Sequence, residues 1–186
     1  GGFFTAVNAA INFPDYQITI YEKGKNVLGK VKVSGGGRCN VTHACFEPKE
    51  LVKFYPRGSK ELLGPFHTFM TGDTMEWFES RGVSLKIESD NRVFPVSDNS
   101  QSIINCLMDD VRRLGVRVVM EKGVKAFYPV EDSWEIQFAD ETITVDALVI
   151  ASGGNGNEVW SQLEKLEYKI ASPLPSLFTF NTKDTR

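Results

Sequence analysis

Residues 1–22, GGFFTAVNAAINFPDYQITIYE, contain the order of elements that decides the fold. Small and apolar residues over about 2–12 predict a helix, and Pro14 then interrupts the pattern. The alternating β-branched and aromatic run 16–21 predicts a strand. A helix that leads directly into a strand is the repeating unit of α/β proteins, in which helices cover a parallel sheet.

The same order returns in the second half of the chain. A helical pattern over 97–114, closed by Gly115, leads into an apolar strand predicted at 116–120, and 147–151 is predicted to be a further apolar strand. Fully apolar strands are typical of a parallel sheet that helices cover on both faces. The predicted fold class is therefore α/β, with a parallel sheet between two layers of helices.

Other patterns predict smaller elements around that sheet. Residues 47–82 look mostly helical, with Pro48 opening one helix and Gly72 capping another over 74–81, whereas 91–96 is a short extended stretch. Three alternating runs with turn-like separators predict a small antiparallel meander, at 124–129, 133–138 and 142–145.

Composition limits the classes of function. The 186 residues are 41% hydrophobic and 24% charged, as in a globular domain, and the net charge is −3. Without a basic run, neither nucleic acid nor a membrane is expected as a partner, and no apolar stretch approaches the roughly 18–20 residues that span a bilayer. The 3 cysteines are too few for a disulfide framework, so we expect a reduced, cytoplasmic protein. Both ends look like the edges of a fragment of a longer protein.

Gly2 and Glu22 form the first pair with a chemical meaning. In a dinucleotide-binding unit the last glycine of the fingerprint lets the first helix pack close to the strands. An acidic residue about 20 positions later binds the ribose hydroxyls at the tip of the second strand. Gly2 and Glu22 fit that spacing. The alternative is a helix-start glycine and an ordinary surface glutamate.

The run SGGGRCN at positions 34–40 is a stronger signal. Three consecutive glycines allow backbone N–H groups to converge on an anion without interference from a Cβ atom. The Arg38 guanidinium can donate two charged hydrogen bonds to the same anion. Asn40 or Thr42 can bind a ligand or cap a following helix. A merely flexible loop is the alternative.

A second glycine pair ends the apolar run 147–151. Ala151 is followed by Ser152, Gly153 and Gly154, which indicates a close approach of the backbone to another group. Ligands of open α/β sheets bind at the carboxyl ends of the strands. The alternative is an ordinary turn at the end of a strand.

Together, Gly2, Glu22, the 34–40 run, the RVFP segment at 92–95 and the ASGG segment at 151–154 resemble the BaiN-like flavoproteins. These are also labelled NAD(FAD)-utilising dehydrogenases or aminoacetone-oxidase-like proteins. The resemblance covers nearly the whole chain, and the SGGGRCN and RVFP segments are its most specific parts. It implies an FAD-binding Rossmann-like fold into which a substrate domain is inserted.

The resemblance also assigns domains and cofactor contacts. Residues 1–45 and 97–155 would form the FAD/NAD(P)-binding domain, 46–96 a mostly helical segment packed on it, and 156–186 the start of the inserted domain. Glu22 would hold the adenosine ribose and Val124 would contact the adenine through its backbone. The other implied cofactor-binding residues are Gly1, Gly2, Lys23, Lys30, Ser34, Gly35, Gly36, Gly37, Arg38, Cys39, Asn40, Ala151, Gly153 and Gly154.

Cysteines and histidines suggest weaker alternatives. Cys39, His43 and Cys45 offer only three ligands in a spacing unlike that of zinc sites, so no metal is predicted. Cys39 is either a redox-active thiol, with a pKa lowered by a helix N-terminus and Arg38, or a small buried thiol near a flavin. His43 and His67 have no paired acid at an obvious spacing and are interpreted as surface or packing residues. No catalytic acid or base is predicted.

The leading hypothesis is an FAD-dependent oxidoreductase that transfers hydride between NAD(P)H, or another reductant, and a small organic substrate. The alternative is a non-catalytic flavin- or nucleotide-binding module or sensor. An NAD-only dehydrogenase is disfavoured, because the SGGGRCN run and the meander are flavoprotein features by resemblance. We expect the 186 residues alone to bind FAD weakly or not at all.

Overall fold

The computed structural model describes residues 1–153 and 157–171. The chain divides into two compact units, Gly1–Gly123 and Val124–Arg186. The helices are α1 (Gly2–Asn12), α2 (Gly29–Val33), α3 (Pro48–Leu51), α4 (Ser59–Thr68), α5 (Thr71–Glu79), α6 (Gln101–Arg113) and α7 (Asn157–Lys165). The strands are β1 (Thr19–Tyr21), β2 (Thr42–His43), β3 (Leu85–Ile87), β4 (Arg92–Pro95), β5 (Arg117–Val119), β6 (Ala126–Val130), β7 (Ser133–Gln137) and β8 (Thr142–Val145).

The first unit is built around a parallel pair of strands. β1 and β5 pair in register, with Ile20 opposite Val118, and α1 and α6 pack together beside them. The core draws on both helices, because Val7 is fully buried and Ile103 and Val111 are almost so. The apolar residues of α6 recur on one helical face and therefore meet the core together. The predicted α/β fold with a parallel sheet is confirmed.

A second sheet in this unit has the order β2-β4-β3 and is antiparallel. Its central strand β4 contains Val93 and Phe94, which have no exposed surface. The extended stretch predicted at 91–96 is therefore the middle of a sheet, and its two neighbouring strands were not predicted. β2 follows the glycine run directly, so this sheet holds one end of that run.

The second unit contains the predicted meander. β6, β7 and β8 are antiparallel in that order, which confirms the prediction from the alternating runs. Gln162 of α7 donates a hydrogen bond from Nε2 to the carbonyl oxygen of Phe127, 3.1 Å away. The strand predicted at 147–151 is wrong, since these residues form no strand and Val149 is 63% exposed. A strand requires a neighbour for its backbone groups, and no described strand pairs with this run.

Two predicted helices begin at other residues than expected. α6 begins at Gln101, after the N-cap Ser100, rather than at 97. α5 begins at Thr71 rather than at 74, because the Asp73 carboxylate accepts a hydrogen bond from the backbone N–H of Met70. Across 1–153 and 157–171, every helix falls short of the length and apolar character needed to cross a membrane.

Candidate functional site

The carboxyl end of β1 places Glu22 at one edge of the parallel sheet. The Glu22 backbone continues the pairing, because its N–H donates to the carbonyl oxygen of Val119. Its carboxylate accepts a hydrogen bond from the N–H of Gly24 at 2.7 Å. Helices of a parallel sheet run opposite to the strands, so the N-terminus of α1, at Gly1 and Gly2, belongs to the same edge.

The glycine run forms a tight turn in the left-handed region of the backbone. Gly35, Gly36 and Gly37 have φ values of 55°, 67° and 85°, which residues with a Cβ atom adopt only with strain. A Cβ at Gly35 would lie 2.7 Å from the backbone nitrogen of Asn40 and 2.9 Å from Cε1 of Phe94. A Cβ at Gly36 would meet nothing within 4 Å. Gly35 therefore serves the packing of the protein itself, whereas Gly36 adjoins open space.

The start of α6 holds this turn in place. The backbone N–H of Ser100 donates to the carbonyl oxygen of Gly37 at 2.8 Å. The Ser100 hydroxyl donates to the carbonyl oxygen of Lys32 at 2.9 Å, and Ser100 is almost fully buried. Ser100 was not among the predicted site residues, because nothing in the sequence distinguishes it except its position near the start of a predicted helix.

Arg38 is held by two carboxylates and a ring. Its Nη1 lies 2.6 Å from Oε1 of Glu88 and 3.4 Å from Oδ1 of Asp98. Its Cζ lies 3.8 Å from the centroid of the Phe94 ring. The hydrogen bond to Glu88 is the largest cause that raises the pKa of Arg38 above its usual value. In this structure the Arg38 guanidinium, which was predicted to bind an anion, is thus paired with side chains of the protein itself.

Asp98 belongs to the same cluster of charges. Its carboxylate also accepts a hydrogen bond from Nζ of Lys86, and its backbone is left-handed, with a φ of 51°. The Lys86 hydrogen bond, with a smaller contribution from Arg38, lowers the pKa of Asp98 despite partial desolvation. Asp98 therefore remains a charged partner of Arg38 at neutral pH.

Cys39 is a buried thiol of the core. Burial raises the pKa of Cys39, and a hydrogen bond with Ser34 offsets only part of this effect. The alternative of a redox-active thiol with a lowered pKa is therefore wrong, because Arg38 is turned toward Glu88 and strand β2, not a helix, follows the run. The preferred interpretation, a small buried thiol, agrees with the burial of Cys39. Because a strand follows the run, the predicted cap of a following helix by Asn40 is also wrong.

The side chains of Ser34 and Asn40 stabilise the run internally. The Ser34 hydroxyl donates to the carbonyl oxygen of Val31 at 2.8 Å. With its amide oriented so that nitrogen faces carbonyl groups, Asn40 donates to the oxygens of Thr42, at 2.9 Å, and Val93, at 3.2 Å. Both residues thus fix the ends of the turn, and Asn40 remains exposed.

The remaining predicted cofactor residues are mostly exposed. Lys23 follows Glu22 and is exposed, and Lys30 is an exposed residue of α2. Val124, Ala151 and Gly153 are exposed residues of the second unit, and Gly153 has a φ of 78°. Gly154 lies outside the described residues. Within the first unit, the structure therefore brings the residues of the 34–40 run together and places Gly1, Gly2 and Glu22 at one edge of the parallel sheet.

A cavity of about 420 Å³ opens beside the glycine run. Sequence reasoning missed it, because, apart from Asn40, its lining residues belong to no recognisable motif and come from separate segments of the chain. The residues that line it are Asn40, Val41, Thr42, His43, Leu51, Tyr55, Phe66, Phe69, Met70, Thr71 and Thr74. Over the described ranges, no three side chains of metal-binding type come together.

Comparison with known proteins identifies the family. The family described as "HI0933-like protein Rossmann domain" matches residues 1–165. The chain belongs to this family. The match confirms the resemblance seen in the sequence, and at the level of the family it supports a flavoprotein oxidoreductase with a flavin or nucleotide cofactor.

Three curated relatives of the HI0933-like chain carry names that describe an activity. The 3-dehydro-bile acid delta(4,6)-reductase of Clostridium scindens is 26% identical over 84% of this chain and 37% of its own length. The ribosomal RNA dihydrouridine synthases of Escherichia coli and Haemophilus influenzae are 25% and 19% identical, each over 74% of this chain and 34% of their own length. The chain thus spans about a third of the length of these relatives.

A solved structure supports the fold alone. The crystal structure of Thermovibrio ammonificans THI4 aligns with 88% of this chain and 56% of its own, with a TM-score of 0.50 and 11% sequence identity. At that identity the likeness carries the α/β architecture and no residue roles.

Proposed function

We propose that this protein is an FAD-dependent oxidoreductase that transfers hydride between a nicotinamide or other reductant and a small organic substrate. The observation that carries the proposal is the turn at 34–40. Gly36 and Gly37 adopt left-handed backbone angles, and a Cβ at Gly36 would stand in open space. A backbone without side chains, facing outward, allows close approach of a pyrophosphate group.

The residues present fit an FAD on chemical grounds. Glu22 ends β1 with a carboxylate, the group that binds ribose hydroxyls in dinucleotide sites. Gly1 and Gly2 open α1, where the helix N-terminus favours the negative charge of a pyrophosphate. Bound FAD would supply the hydride chemistry, which no side chain of the chain can provide.

The role of this chain is then to hold and orient the cofactor. Ser100 and Phe94 fix the turn from two sides, through hydrogen bonds to Gly37 and Lys32 and through packing against Gly35. A turn held by buried contacts keeps its shape before the cofactor arrives, which lowers the entropy lost on binding. Val124, Ala151, Gly153 and Gly154 remain proposed cofactor contacts by resemblance to the family.

The names of the relatives support reduction as the reaction. A reductase of a delta(4,6) bile acid and a synthase of dihydrouridine both add hydrogen across a carbon–carbon double bond. We propose the same reaction class here, with NAD(P)H as the reductant. Although two relatives are named for ribosomal RNA, we propose a small molecule, because this chain is acidic, with a net charge of −3, and has no basic run. We further propose that the protein acts in the cytoplasm, with neither a nucleic acid nor a membrane as its partner.

The alternative is a non-catalytic flavin-binding module or sensor. It is favoured by one observation, namely that the polar side chains of the run, Arg38 and Asn40, are engaged within the protein. No acid or base is therefore presented by the run itself.

A visible spectrum of the full-length protein tests the proposal. We expect flavin bands that bleach when NADH or NADPH is added. Flavin bands that do not bleach with either donor would favour the sensor or a reductant other than a nicotinamide, and a protein that gains no bands with added FAD would contradict both the oxidoreductase and the sensor. Glu22→Ala should weaken FAD binding severalfold, whereas Glu47→Ala, an exposed glutamate outside the proposed contacts, should leave it unchanged.

A further inference from the structure

The cavity beside Asn40 has aromatic walls. The rings of Tyr55 and Phe66 lie 5.5 Å apart between centroids and are inclined by 52°. Phe69 adds a third ring, fixed by an edge contact with Phe4 at 5.5 Å. Leu51 closes the apolar lining as a buried residue. Such a wall attracts flat, apolar ring surfaces.

The lining also contains polar side chains, of which some are hydrogen-bonded within the protein and others are not. Thr71 and Thr74 also line the cavity, but their hydroxyls donate to the carbonyl oxygens of His43 and Met70, each at 2.8 Å. By contrast, within the described ranges no hydrogen bond engages the hydroxyls of Thr42 and Tyr55 or the imidazole of His43. These three side chains therefore retain their capacity to bind a polar atom of a ligand.

The size of the cavity agrees with a ligand site. A volume of about 420 Å³ lies within the range of small-molecule pockets. Asn40, one of the residues that by resemblance would bind the cofactor, is also part of the cavity wall. A ligand in this cavity would therefore lie beside the proposed cofactor.

A second cavity, of about 540 Å³, fits less well. It is lined by Ser97, Ser102 and Asp109, among others, and by no aromatic side chain. Its Ser97 and Ser102 hydroxyls bond to each other at 2.7 Å. None of the residues expected to bind the cofactor lines it.

We propose that the cavity beside Asn40 is the substrate pocket, and that it takes a planar, unsaturated carbonyl compound. Its ring would pack against Tyr55 and Phe66. Its carbonyl oxygen would accept hydrogen bonds from the Tyr55 and Thr42 hydroxyls. This inference rests on the proposed function, because it names the substrate class of that oxidoreductase.

The test measures binding of coumarin, a planar unsaturated carbonyl compound, to the full-length protein with FAD bound. Chroman, which has the same ring skeleton but neither the conjugated double bond nor the carbonyl group, is the matched control ligand. Equilibrium dialysis gives both affinities, and the visible flavin bands report whether coumarin binds beside the cofactor. We expect coumarin to bind more tightly than chroman and to shift those bands.

Tyr55→Phe removes one hydroxyl from an exposed ring and leaves the aromatic wall in place. We expect it to weaken coumarin binding by about five- to tenfold, the loss of one hydrogen bond, without changing FAD content. Tyr128→Phe makes the same change on an exposed tyrosine of β6 and should change neither quantity. Thr42→Val, in the same cavity, should weaken coumarin binding in the same direction as Tyr55→Phe.

Three results would overturn the inference: equal binding of coumarin and chroman, unchanged coumarin binding in Tyr55→Phe, or loss of FAD in Tyr55→Phe, which would place the cofactor ring in the cavity. Bleaching by NADH without coumarin binding would leave the proposed function standing and reject this pocket. Coumarin binding that depends on Tyr55 in a protein that never takes up FAD would support the pocket and reject the oxidoreductase.

Discussion

The guanidinium carbon of Arg38 lies 3.8 Å from the centroid of the Phe94 ring, so the glycine run and the second sheet are joined at this point. The same ring would lie 2.9 Å from a Cβ at Gly35. Phe94 thus supports both an arginine above its face and a glycine at its edge, and its own side chain is fully buried. Two residues of the motif SGGGRCN are therefore explained by packing, independently of any ligand.

Gly35→Ala should destabilise the fold. The Cβ of the new alanine would lie 2.7 Å from the backbone nitrogen of Asn40, and residue 35 would have to keep its left-handed backbone conformation. We expect a loss of about 2–4 kcal/mol in the free energy of unfolding, from backbone strain and overpacking together. Urea unfolding followed by circular dichroism measures this loss.

Gly36→Ala is the matched control for that variant. Position 36 has a similar φ of 67°, but a Cβ there would contact nothing within 4 Å. We therefore expect a loss of only about 1–2 kcal/mol, from backbone strain alone. If the proposed pyrophosphate contact is correct, FAD binding should fall in Gly36→Ala more than its stability loss explains. Equal stability losses in the two variants would contradict the packing role of Gly35.

Glu88→Gln should release Arg38 toward an anion. Glu88 holds Arg38 at 2.6 Å, so a bound pyrophosphate would have to compete with this carboxylate. Without the competing charge we expect FAD to bind severalfold more tightly, as measured by flavin fluorescence titration. Glu50→Gln, which removes the partner of Lys53 in an exposed pair, is the control and should not change the affinity. Weaker FAD binding in Glu88→Gln would mean that Glu88 positions Arg38 rather than competing for it.

Elements with a complete local signal were predictable from the sequence. The helix over about 2–12 was placed correctly, and the strand predicted over 16–21 forms in its second half, at Thr19–Tyr21, because the periodicity is clear and Pro14 separates the two elements. The meander followed from alternation and turn residues. The run 147–151 was misjudged because its apolar composition specifies burial in some partner sheet, but pairing depends on neighbours that lie far away in the sequence.

The candidate site was predictable only in part. Three consecutive glycines favour a backbone conformation that other residues adopt only with strain, and Gly35, Gly36 and Gly37 all have positive φ values. The partners of Arg38, Glu88 and Asp98, lie 50 and 60 residues further along the chain, and no local pattern links them. The aromatic cavity is lined by residues of α3, α4, α5 and β2, which only the tertiary structure brings together.

Asp110 should make stability depend on pH. This almost fully buried carboxylate lies 2.6 Å from Arg81 Nε and from Arg113 Nη2. Burial alone would raise the pKa of Asp110, but the hydrogen bonds from the arginines leave it below its ordinary value. Its contribution is therefore fully present above the unfolded-state pKa of about 4 and is lost as pH falls through the lower folded-state value.

Asp110→Asn should reduce that dependence. At neutral pH we expect a loss of about 1–3 kcal/mol, and a smaller decrease in the urea midpoint between about pH 6 and pH 3 than in the wild type. Asp109→Asn is the matched control, since Asp109 pairs with Arg112 on the exposed side of the same helix. An unchanged pH dependence in Asp110→Asn would show that other carboxylates dominate acid unfolding.

The three cysteines should react at very different rates with a thiol reagent. Burial raises the pKa of Cys39 and, together with the charge of Asp110, raises the pKa of Cys106 to about 11. Only a thiolate reacts rapidly, so both should be protected in the folded protein at about pH 8, whereas the partly exposed Cys45 should react. Mass spectrometry should then find one modified cysteine in native protein and all three in urea, with the fast reaction absent in Cys45→Ser. Rapid modification of Cys39 in the folded protein would instead support a reactive thiol beside the proposed cofactor.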